Sequence, residues 1–373
     1  MDKGGCIKYT DFVDLKYRPK KSDVVCEFYV EPRGISLKKA AGAVAAESSI
    51  GTWTELTTMH KYVERLRARV YEIKGHSIKV AYPLVLFETG NMPNILSSVA
   101  GNVFGLKELK NLRLNDIQLP RQLVQSFKGP RYGIEGIRKV LKIEKRPLIG
   151  TIIKPKLGLK TKHHAKVAYE AWIGGCDIVK DDENLSSQSF NIFSKRIVQT
   201  LNARDRAEQE TGERKVYMPN ITAETDEMIR RAKFVRDHGG RYAMVDVFTV
   251  GWAALQTLRE HSFGLVLHAH RAMHAAITKN AKHGIAMKVF AKLLRVVGMD
   301  QLHVGAGVGK MFETKEEVLA NVDALKQRLY GLKPVMPVAS GGLHPALVPE
   351  LVKLFGNDVI IQAGGGVHGH PMG

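Results

Sequence analysis

Residues 175–184 read Gly-Cys-Asp-Ile-Val-Lys-Asp-Asp-Glu-Asn, and this segment carries a strong indication of the fold class. A short apolar strand over Asp177–Lys180 ends directly in a cluster of charged side chains. The preceding segment His164–Trp172 places Val167, Ala168, Ala171 and Trp172 on one face, which predicts an amphipathic helix that ends at Gly174-Gly175. A helix followed by a short buried strand is the alternation typical of a parallel α/β fold.

The same alternation of helices and strands extends on both sides of this segment. Eight short apolar segments are predicted as strands: Leu148–Ile153, Asp177–Lys180, Val216–Ile221, Tyr242–Thr249, Gly264–His270, Gln301–Gly305, Val335–Ser340 and Val359–Ala363. Eight strands alternating with helices predict a (β/α)8 TIM barrel. The alternative is an open doubly wound sheet, but no GxGxxG motif follows the first strand. Only residues 364–373 follow the last strand, so we expect the eighth helix to be missing from the chain.

The first 130 residues have a different pattern. Strands are predicted at Val24–Val30, Ala68–Ile73 and Ser77–Pro83, and helices at Leu37–Ser48 and Ile95–Gly101. These elements predict a smaller α+β domain, ferredoxin-like, over residues 1–130. The breaker pair Gly129-Pro130 is the expected boundary, and residues 131–373 form the predicted barrel domain.

Composition narrows the possible partners without deciding between them. The formal net charge of +19 favours a polyanionic partner, either nucleic acid or a small phosphorylated substrate. The three cysteines match no zinc or redox spacing, which suggests reduced thiols and a cytoplasmic location. No apolar run reaches the ~18 residues of a membrane span, so no membrane association is expected.

Polar residues collect where the predicted barrel strands end. Lys180 and Asp182 point to the same side of an extended segment, and the carboxylates of Asp182 and Glu183 require a cation between them, for which Mg2+ is suited. Glycines after strands seven and eight expose backbone N–H groups of the kind that bind phosphate in such barrels. A second phosphate is predicted across the barrel mouth, at His270, Arg271 and His303. The ends of strands three and four are predicted to carry no such chemistry.

Each of these features alone has a more ordinary explanation. A charged loop is usually solvated, paired glycines are usually turns, and a histidine inside a barrel is usually structural. Their common position at one end of the barrel favours a site for a bisphosphate with its middle carbons on a metal ion.

Six segments resemble the large subunit of ribulose-1,5-bisphosphate carboxylase/oxygenase (Rubisco) of the archaeal form III, methanogen type. They are Gly150–Gly158, Gly175–Asn184, His268–His274, Gly364–Pro371, Ala45–Trp53 and Gly101–Gly105. The resemblance implies that CO2 is added to ribulose 1,5-bisphosphate to give two 3-phosphoglycerate, with oxygenation by O2 as a side reaction. The alternative is a Rubisco-like enolase or isomerase for a related sugar phosphate. Retention of Lys154, Lys310, Glu47 and Asn102 favours carboxylation.

The resemblance also implies roles for individual residues. An activating CO2 would carbamylate Lys180, which would then hold Mg2+ with Asp182 and Glu183. Lys154, His270 and Lys310 would be the other catalytic residues. The implied substrate-binding residues are Lys156, Arg271, His303, Ser340, Gly341, Gly342, Gly364, Gly365, Thr52 and Trp53.

Glu47 and Asn102 would complete the site of a neighbouring subunit, which implies a homodimer or a ring of dimers, and nothing requires a small subunit. No nucleic-acid partner is expected, because the basic residues are spread along the chain without a dense run. The sequence departs from the family pattern at Ile152 and in the loop over residues 305–314, where Ala306, Gly307 and Phe312 are unusual.

Overall fold

The computed structural model describes residues 8–51, 54, 56–261, 263–308 and 313–371. The chain divides into two compact units. One comprises the residues up to 127 together with 274–292, and the other comprises residues 128–273 and 293 onward. The boundary at Gly129-Pro130 stays a prediction, because a compact unit is defined by contacts and a domain by independent folding.

The N-terminal unit is built on a five-stranded sheet within the described residues. Its first elements are β1 (Val24–Pro32), α1 (Leu37–Glu47), α2 (Lys61–Glu64), β2 (Arg69–Lys74), β3 (Ser77–Tyr82), α3 (Met92–Ala100), β4 (Leu109–Gln118) and α4 (Arg121–Gln125). Strand β1 lies between β3 and β4 and is antiparallel to both. Every second residue of β1 is fully buried, as expected for a strand with one face against a core: Val24, Cys26, Phe28 and Val30.

The second unit contains the elements of the predicted barrel. They are α5 (Gly133–Leu141), β5 (Leu148–Ile152), α6 (Thr161–Ile173), β6 (Ile178–Lys180), α7 (Phe193–Thr211), β7 (Val216–Met218), α8 (Thr225–Asp237), β8 (Tyr242–Asp246), α9 (Val247–Val250), α10 (Trp252–His261) and β9 (Val266–His270). The chain then returns to the first unit with α11 (His274–Thr278) and β10 (Gly284–Ile285), and β10 extends the five-stranded sheet beside β4. It continues with α12 (Met287–Val297), β11 (Gln301–His303), α13 (Lys315–Lys326), β12 (Met336–Ser340), α14 (Val348–Phe355), β13 (Ile360–Gln362) and α15 (Gly365–His368).

Eight strands of the described chain form one parallel sheet in the order β7-β6-β5-β13-β12-β11-β9-β8. A parallel bridge between Asn220, just after β7, and Met244 in β8 joins the two ends of this order. The prediction of a (β/α)8 barrel with a smaller N-terminal α+β part is therefore confirmed. None of the described helices is long and apolar enough to cross a membrane.

The N-terminal ends of the barrel strands are closed by apolar packing. Ile134, Ile137 and Leu141 of α5 pack in one buried cluster with the first residues of seven strands. Those first residues are Leu148, Ile178, Val216, Tyr242, Val266, Met336 and Ile360. Since this end is filled by apolar side chains, the opposite, C-terminal end of the barrel is the place for a site.

All eight barrel strands are shorter than predicted, and two of them end three residues before their predicted ends. Strand β8 ends at Asp246, and residues 247–249, which were predicted as its continuation, lie in the short helix α9. Strand β7 ends at Met218 rather than at Ile221. The β-branched residues Val247, Thr249 and Val250 favour a strand locally, but tertiary context overrides this preference.

Candidate active site

Lys180 is the last residue of β6, and its side chain is 1% exposed. The Nζ atom donates to the backbone oxygen of Asp181 at 2.7 Å and lies 3.1 Å from the Sδ atom of Met244. The Oε2 atom of Glu183 is 3.9 Å away. Burial lowers the pKa of Lys180, although the nearby carboxylates, Glu183 first among them, oppose this shift. The amine is therefore easier to deprotonate than an exposed lysine.

The next residue, Asp181, is fully buried among hydrogen-bond donors. Its carboxylate accepts from the Tyr217 hydroxyl at 2.7 Å, from Arg196 Nε at 3.2 Å and from the backbone N–H of Asn220 at 3.0 Å. His164 Nε2 lies 3.0 Å from it. Burial alone would raise the pKa of Asp181, but these neighbours, Arg196 foremost, hold it at about 2. Asp181 thus fixes the segment that carries Lys180 and Asp182.

Asp182 faces the neighbouring strand end. Lys154, which follows β5, donates from Nζ to Asp182 Oδ2 at 3.0 Å. Burial raises the pKa of Asp182, but the hydrogen bonds from Lys154 and from the backbone of Asn184 outweigh it and the pKa is lowered. A Cβ atom added to Gly364 would lie 3.0 Å from Lys154 Cε, so the end of β13 also meets this lysine. Lys156 is exposed beyond it.

Strands three and four of the barrel do carry polar chemistry, and the contrary prediction is wrong. Asp246, the last residue of β8, lies with Oδ1 2.8 Å from His270 Nδ1. The other ring nitrogen of His270, Nε2, is 3.7 Å from Glu183 Oε2. Asn220, after β7, donates from Nδ2 to the backbone oxygen of Glu183 at 2.8 Å. The sequence held a signal for both residues, since each is a polar side chain just beyond an apolar run.

Two histidines lie around His303, the last residue of β11. Its ring lies edge-on to those of His268 and His270, with centroids 4.7 and 4.9 Å away. Its Nδ1 atom is 2.7 Å from Ser340 Oγ. Burial, reinforced by nearby positive charge, lowers the pKa of His303 well below its usual range. His303 is therefore a neutral hydrogen-bonding group, and buried His268 has the same shift for the same first cause.

Arg271, directly after β9, forms a buried bidentate ion pair with Glu313. Arg271 Nη1 bonds to Glu313 Oε1, and Nη2 bonds to Oε2 at 2.7 Å. Glu313 was not among the residues predicted for the site. Nothing in its local pattern distinguishes it from the acidic residues that open α13.

The glycine-rich segment after β12 begins directly after Ser340, the residue that contacts His303. Gly341 and Gly342, after β12, have φ values of 108° and 64°, a backbone conformation that strongly favours glycine. After β13, a Cβ atom on Gly366 would lie 2.1 Å from the backbone oxygen of Leu343, so the two glycine-rich segments touch.

The remaining predicted site residues fall in two groups. Thr52, Trp53 and Lys310 lie outside the described residues. Glu47, the last residue of α1, and Asn102 belong to the N-terminal unit, in which α1 packs against the 3-10 helix Asn102–Gly105.

The donor set suits a magnesium ion only once Lys180 is modified. Among the residues described, no three histidine, cysteine, aspartate or glutamate side chains are grouped to hold a metal. Glu183 lies 3.9 Å from the Lys180 amine, and the Asp182 carboxylate is close enough to act on the pKa of Lys180. A carbamate on Lys180 would add oxygen ligands, which gives the hard, oxygen-only environment that Mg2+ prefers. The residues present therefore fit the ion.

Comparison with known proteins places this arrangement in a family. Residues 133–373 match the model of the ribulose bisphosphate carboxylase large chain, catalytic domain, and residues 11–123 match the N-terminal domain of the same chain. The chain is 52% identical to the ribulose bisphosphate carboxylase of Methanocaldococcus jannaschii, over 97% of this chain and 91% of that protein. It is 50% identical to that of Pyrococcus furiosus, over 98% and 88%.

Solved structures agree. The octameric Rubisco of Pyrococcus horikoshii OT3, crystallised with sulfate, superposes with a TM-score of 0.96 at 49% identity, covering 99% of this chain and 88% of that one. The dimeric archaeal Rubisco of Hyperthermus butylicus gives a TM-score of 0.91 at 46% identity, covering 98% and 90%. On this evidence the chain belongs to the family of ribulose bisphosphate carboxylase large chains.

Proposed function

We propose that this protein carboxylates ribulose 1,5-bisphosphate with CO2 and water to give two molecules of 3-phosphoglycerate, with oxygenation by O2 as a side reaction. The observation that carries the proposal is the buried Lys180 amine beside Asp182 and Glu183 at the open end of the barrel. The named activity of relatives about 50% identical over almost the whole chain supports the same reaction.

Activation begins at Lys180. Its neutral amine attacks the carbon of CO2, a proton leaves the nitrogen, and a carbamate anion results. The lowered pKa of Lys180 supports this step because only the unprotonated amine is a nucleophile. The carbamate, Asp182 and Glu183 would hold Mg2+, which would supply positive charge to the substrate oxygens on which negative charge develops.

The protein's own groups then move protons. The Lys180 carbamate accepts the proton from C3 of the substrate. Lys154 is the general acid for the product carbanion, with Lys156 in support, and its position 3.0 Å from Asp182 puts it beside the metal ligands. His270 assists proton transfer during hydration, and Lys310 stabilises the new carboxylate.

The two substrate phosphates bind on opposite sides of the barrel mouth. Arg271 and His303 hold one. The other is held by backbone N–H groups of four glycines and by two residues of the N-terminal region: Gly341, Gly342, Gly364, Gly365, Thr52 and Trp53. Ser340 hydrogen-bonds a substrate hydroxyl, and its contact with His303 at 2.7 Å supports a place between the two ends of the substrate.

The active assembly is a homodimer or a ring of dimers, without a small subunit. In it Glu47 and Asn102 complete the site of the neighbouring subunit. The octameric and dimeric relatives support such assemblies. The protein acts in the cytoplasm, and its excess positive charge serves a phosphorylated substrate rather than nucleic acid.

The test is fixation of labelled bicarbonate into acid-stable product with ribulose bisphosphate and Mg2+, oxygen excluded. Wild type should fix label and Lys180→Ala should not. Lys166→Ala, which removes an exposed lysine of α6, is the matched control and should keep activity. Wild type that fixes no label but enolises another sugar phosphate would replace the proposal with the enolase alternative, which the comparisons do not favour.

A further inference from the structure

The Arg271–Glu313 pair is sealed from water. Its side chains are 7% and 4% exposed, and the two groups meet as a planar fork with two parallel hydrogen bonds. An ion pair in this environment is weakly screened, and its geometry uses both terminal nitrogens of the guanidinium.

The pair lies beside His303. Gly305, two residues after His303, has a φ of 91°, and an added Cβ atom would be 2.7 Å from Glu313 Oε2 and 3.2 Å from Arg271 Nη2. The positive charge of Arg271 is one of the causes that lower the pKa of His303, after burial, the neighbouring histidines and Lys180. Glu313 therefore holds Arg271 at the place proposed for one substrate phosphate.

A carboxylate and a phosphate bind a guanidinium in the same way, through two oxygens on two N–H groups. A phosphate dianion placed against the intact pair would lie next to a buried carboxylate of the same sign. That arrangement is unfavourable where water does not screen the charges. Phosphate and Glu313 thus compete for the same two donors.

We propose that Glu313 is an internal competitor for the substrate phosphate at Arg271, so that phosphate binds only when the Glu313 carboxylate leaves the guanidinium. The inference rests on the proposed function, in which Arg271 contacts a phosphate. It assigns Glu313 a role in setting substrate affinity. The opposite role, in which Glu313 holds Arg271 in the orientation that phosphate needs, predicts changes of the opposite sign.

The first test is calorimetric titration of the whole protein with inorganic phosphate. Glu313→Gln keeps the shape of the side chain but removes its charge, so phosphate should bind about tenfold more tightly. Glu316→Gln removes the same charge from an exposed position on the first turn of α13 and should bind as wild type does. Unchanged or weaker binding by Glu313→Gln, or no phosphate binding by either protein, would overturn the proposal.

Steady-state kinetics separate this inference from the proposed function. The KM for ribulose bisphosphate should fall in Glu313→Gln by a similar factor, with little change in kcat. Wild type that makes no 3-phosphoglycerate would end the proposed function, while the phosphate titration would still decide the role of Glu313.

A structure of the wild-type protein crystallised with inorganic phosphate covers the case in which Glu313→Gln does not fold. Phosphate should then be bonded to the Arg271 guanidinium, with the Glu313 carboxylate beyond hydrogen-bond distance of it. Phosphate on Arg271 with the ion pair intact, or no phosphate at Arg271, would contradict competition.

Discussion

Lys154 and Lys180 lie at the ends of two neighbouring strands, and the difference between them shows what makes a lysine reactive. Lys154 is 36% exposed and forms an ion pair with Asp182 at 3.0 Å. Lys180 is 1% exposed, and its Nζ atom is 3.9 Å from the nearest oxygen of Glu183. The two lysines both lie at the ends of apolar strands in the sequence, but one is partly exposed and ion-paired whereas the other is buried without a close ion pair.

The bonds made by Lys180 explain its lowered pKa. It donates to a backbone oxygen and to a thioether sulfur, and neither partner carries the negative charge that would offset the burial of an ammonium group. A carbamate at this position would instead be an anion close to Asp182 and Glu183. Such a cluster requires a cation, which is a physical reason for carbamate formation and metal binding to depend on each other.

The largest expected effect is on carbamate formation itself. With 13C-labelled CO2 and Mg2+, wild type should show a carbamate resonance in the 13C NMR spectrum. Lys180→Ala should lose it completely, because the buried amine is the nucleophile. Lys154→Ala should retain the resonance, because Lys154, which is ion-paired with Asp182, is not the nucleophile.

Each of these two variants is the control for the other, because each removes one lysine from the same end of the barrel. A resonance that survives in Lys180→Ala and disappears in Lys154→Ala would reverse the assignment of the two roles.

Lys154→Ala should lower the rate of carboxylation by about 10³-fold, the scale of a lost general acid. Exchange of the C3 proton of ribulose bisphosphate should persist, since that step belongs to the Lys180 carbamate. The measurement is kcat for product formation beside the rate of tritium wash-out from C3. Equal losses in both would mean that Lys154 supports an earlier step.

The barrel and the charged residues at the end of β6 could be predicted from the sequence because both depend on local patterns. Short apolar runs specify buried parallel strands. The charged residues after Lys180 are adjacent in the chain, so the fold has only to orient them.

Asp246 and Asn220 were missed because the strand ends were predicted too late. With a strand expected over Tyr242–Thr249, Asp246 lay in the middle of a strand rather than at its end. The predicted third strand, Val216–Ile221, enclosed Asn220 in the same way. Glu313 and Arg271 are 42 residues apart, and only the folded chain brings them together.

Asp246→Asn tests whether the missed residue acts through His270. The Asp246 carboxylate, 2.8 Å from Nδ1 of His270, favours the tautomer with the proton on Nδ1, in which Nε2, the nitrogen that faces Glu183, is unprotonated. An amide holds that proton less firmly, so kcat should fall about 10- to 100-fold with little change in KM, as for other groups that orient a functional histidine.

Asp237→Asn, an exposed acid on α8, is the matched control for this substitution and should leave both constants unchanged. A rise in KM at constant kcat, or a loss of activity that follows loss of folded protein by circular dichroism, would assign Asp246 a purely structural role.

Asp181 and Asp182 extend the comparison to adjacent acids, and Asp181→Asn should have the smallest effect on chemistry and a clear effect on stability. The pKa of Asp181 is held at about 2 in the folded protein, below the ordinary value of 3.8. Because the folded pKa is the lower one, the charged carboxylate stabilises the fold above about pH 4. This contribution is lost as pH falls from about 4 to about 2, and it amounts to about 2 kcal/mol.

In urea unfolding at pH 7, Asp181→Asn should lower the free energy of unfolding by at least that amount, and the difference from wild type should narrow below pH 4. Asp182→Asn should abolish activity with a much smaller loss of stability. A deficit for Asp181→Asn that is the same at pH 7 and pH 3 would show that shape, and not charge, holds the segment that keeps Lys180 buried.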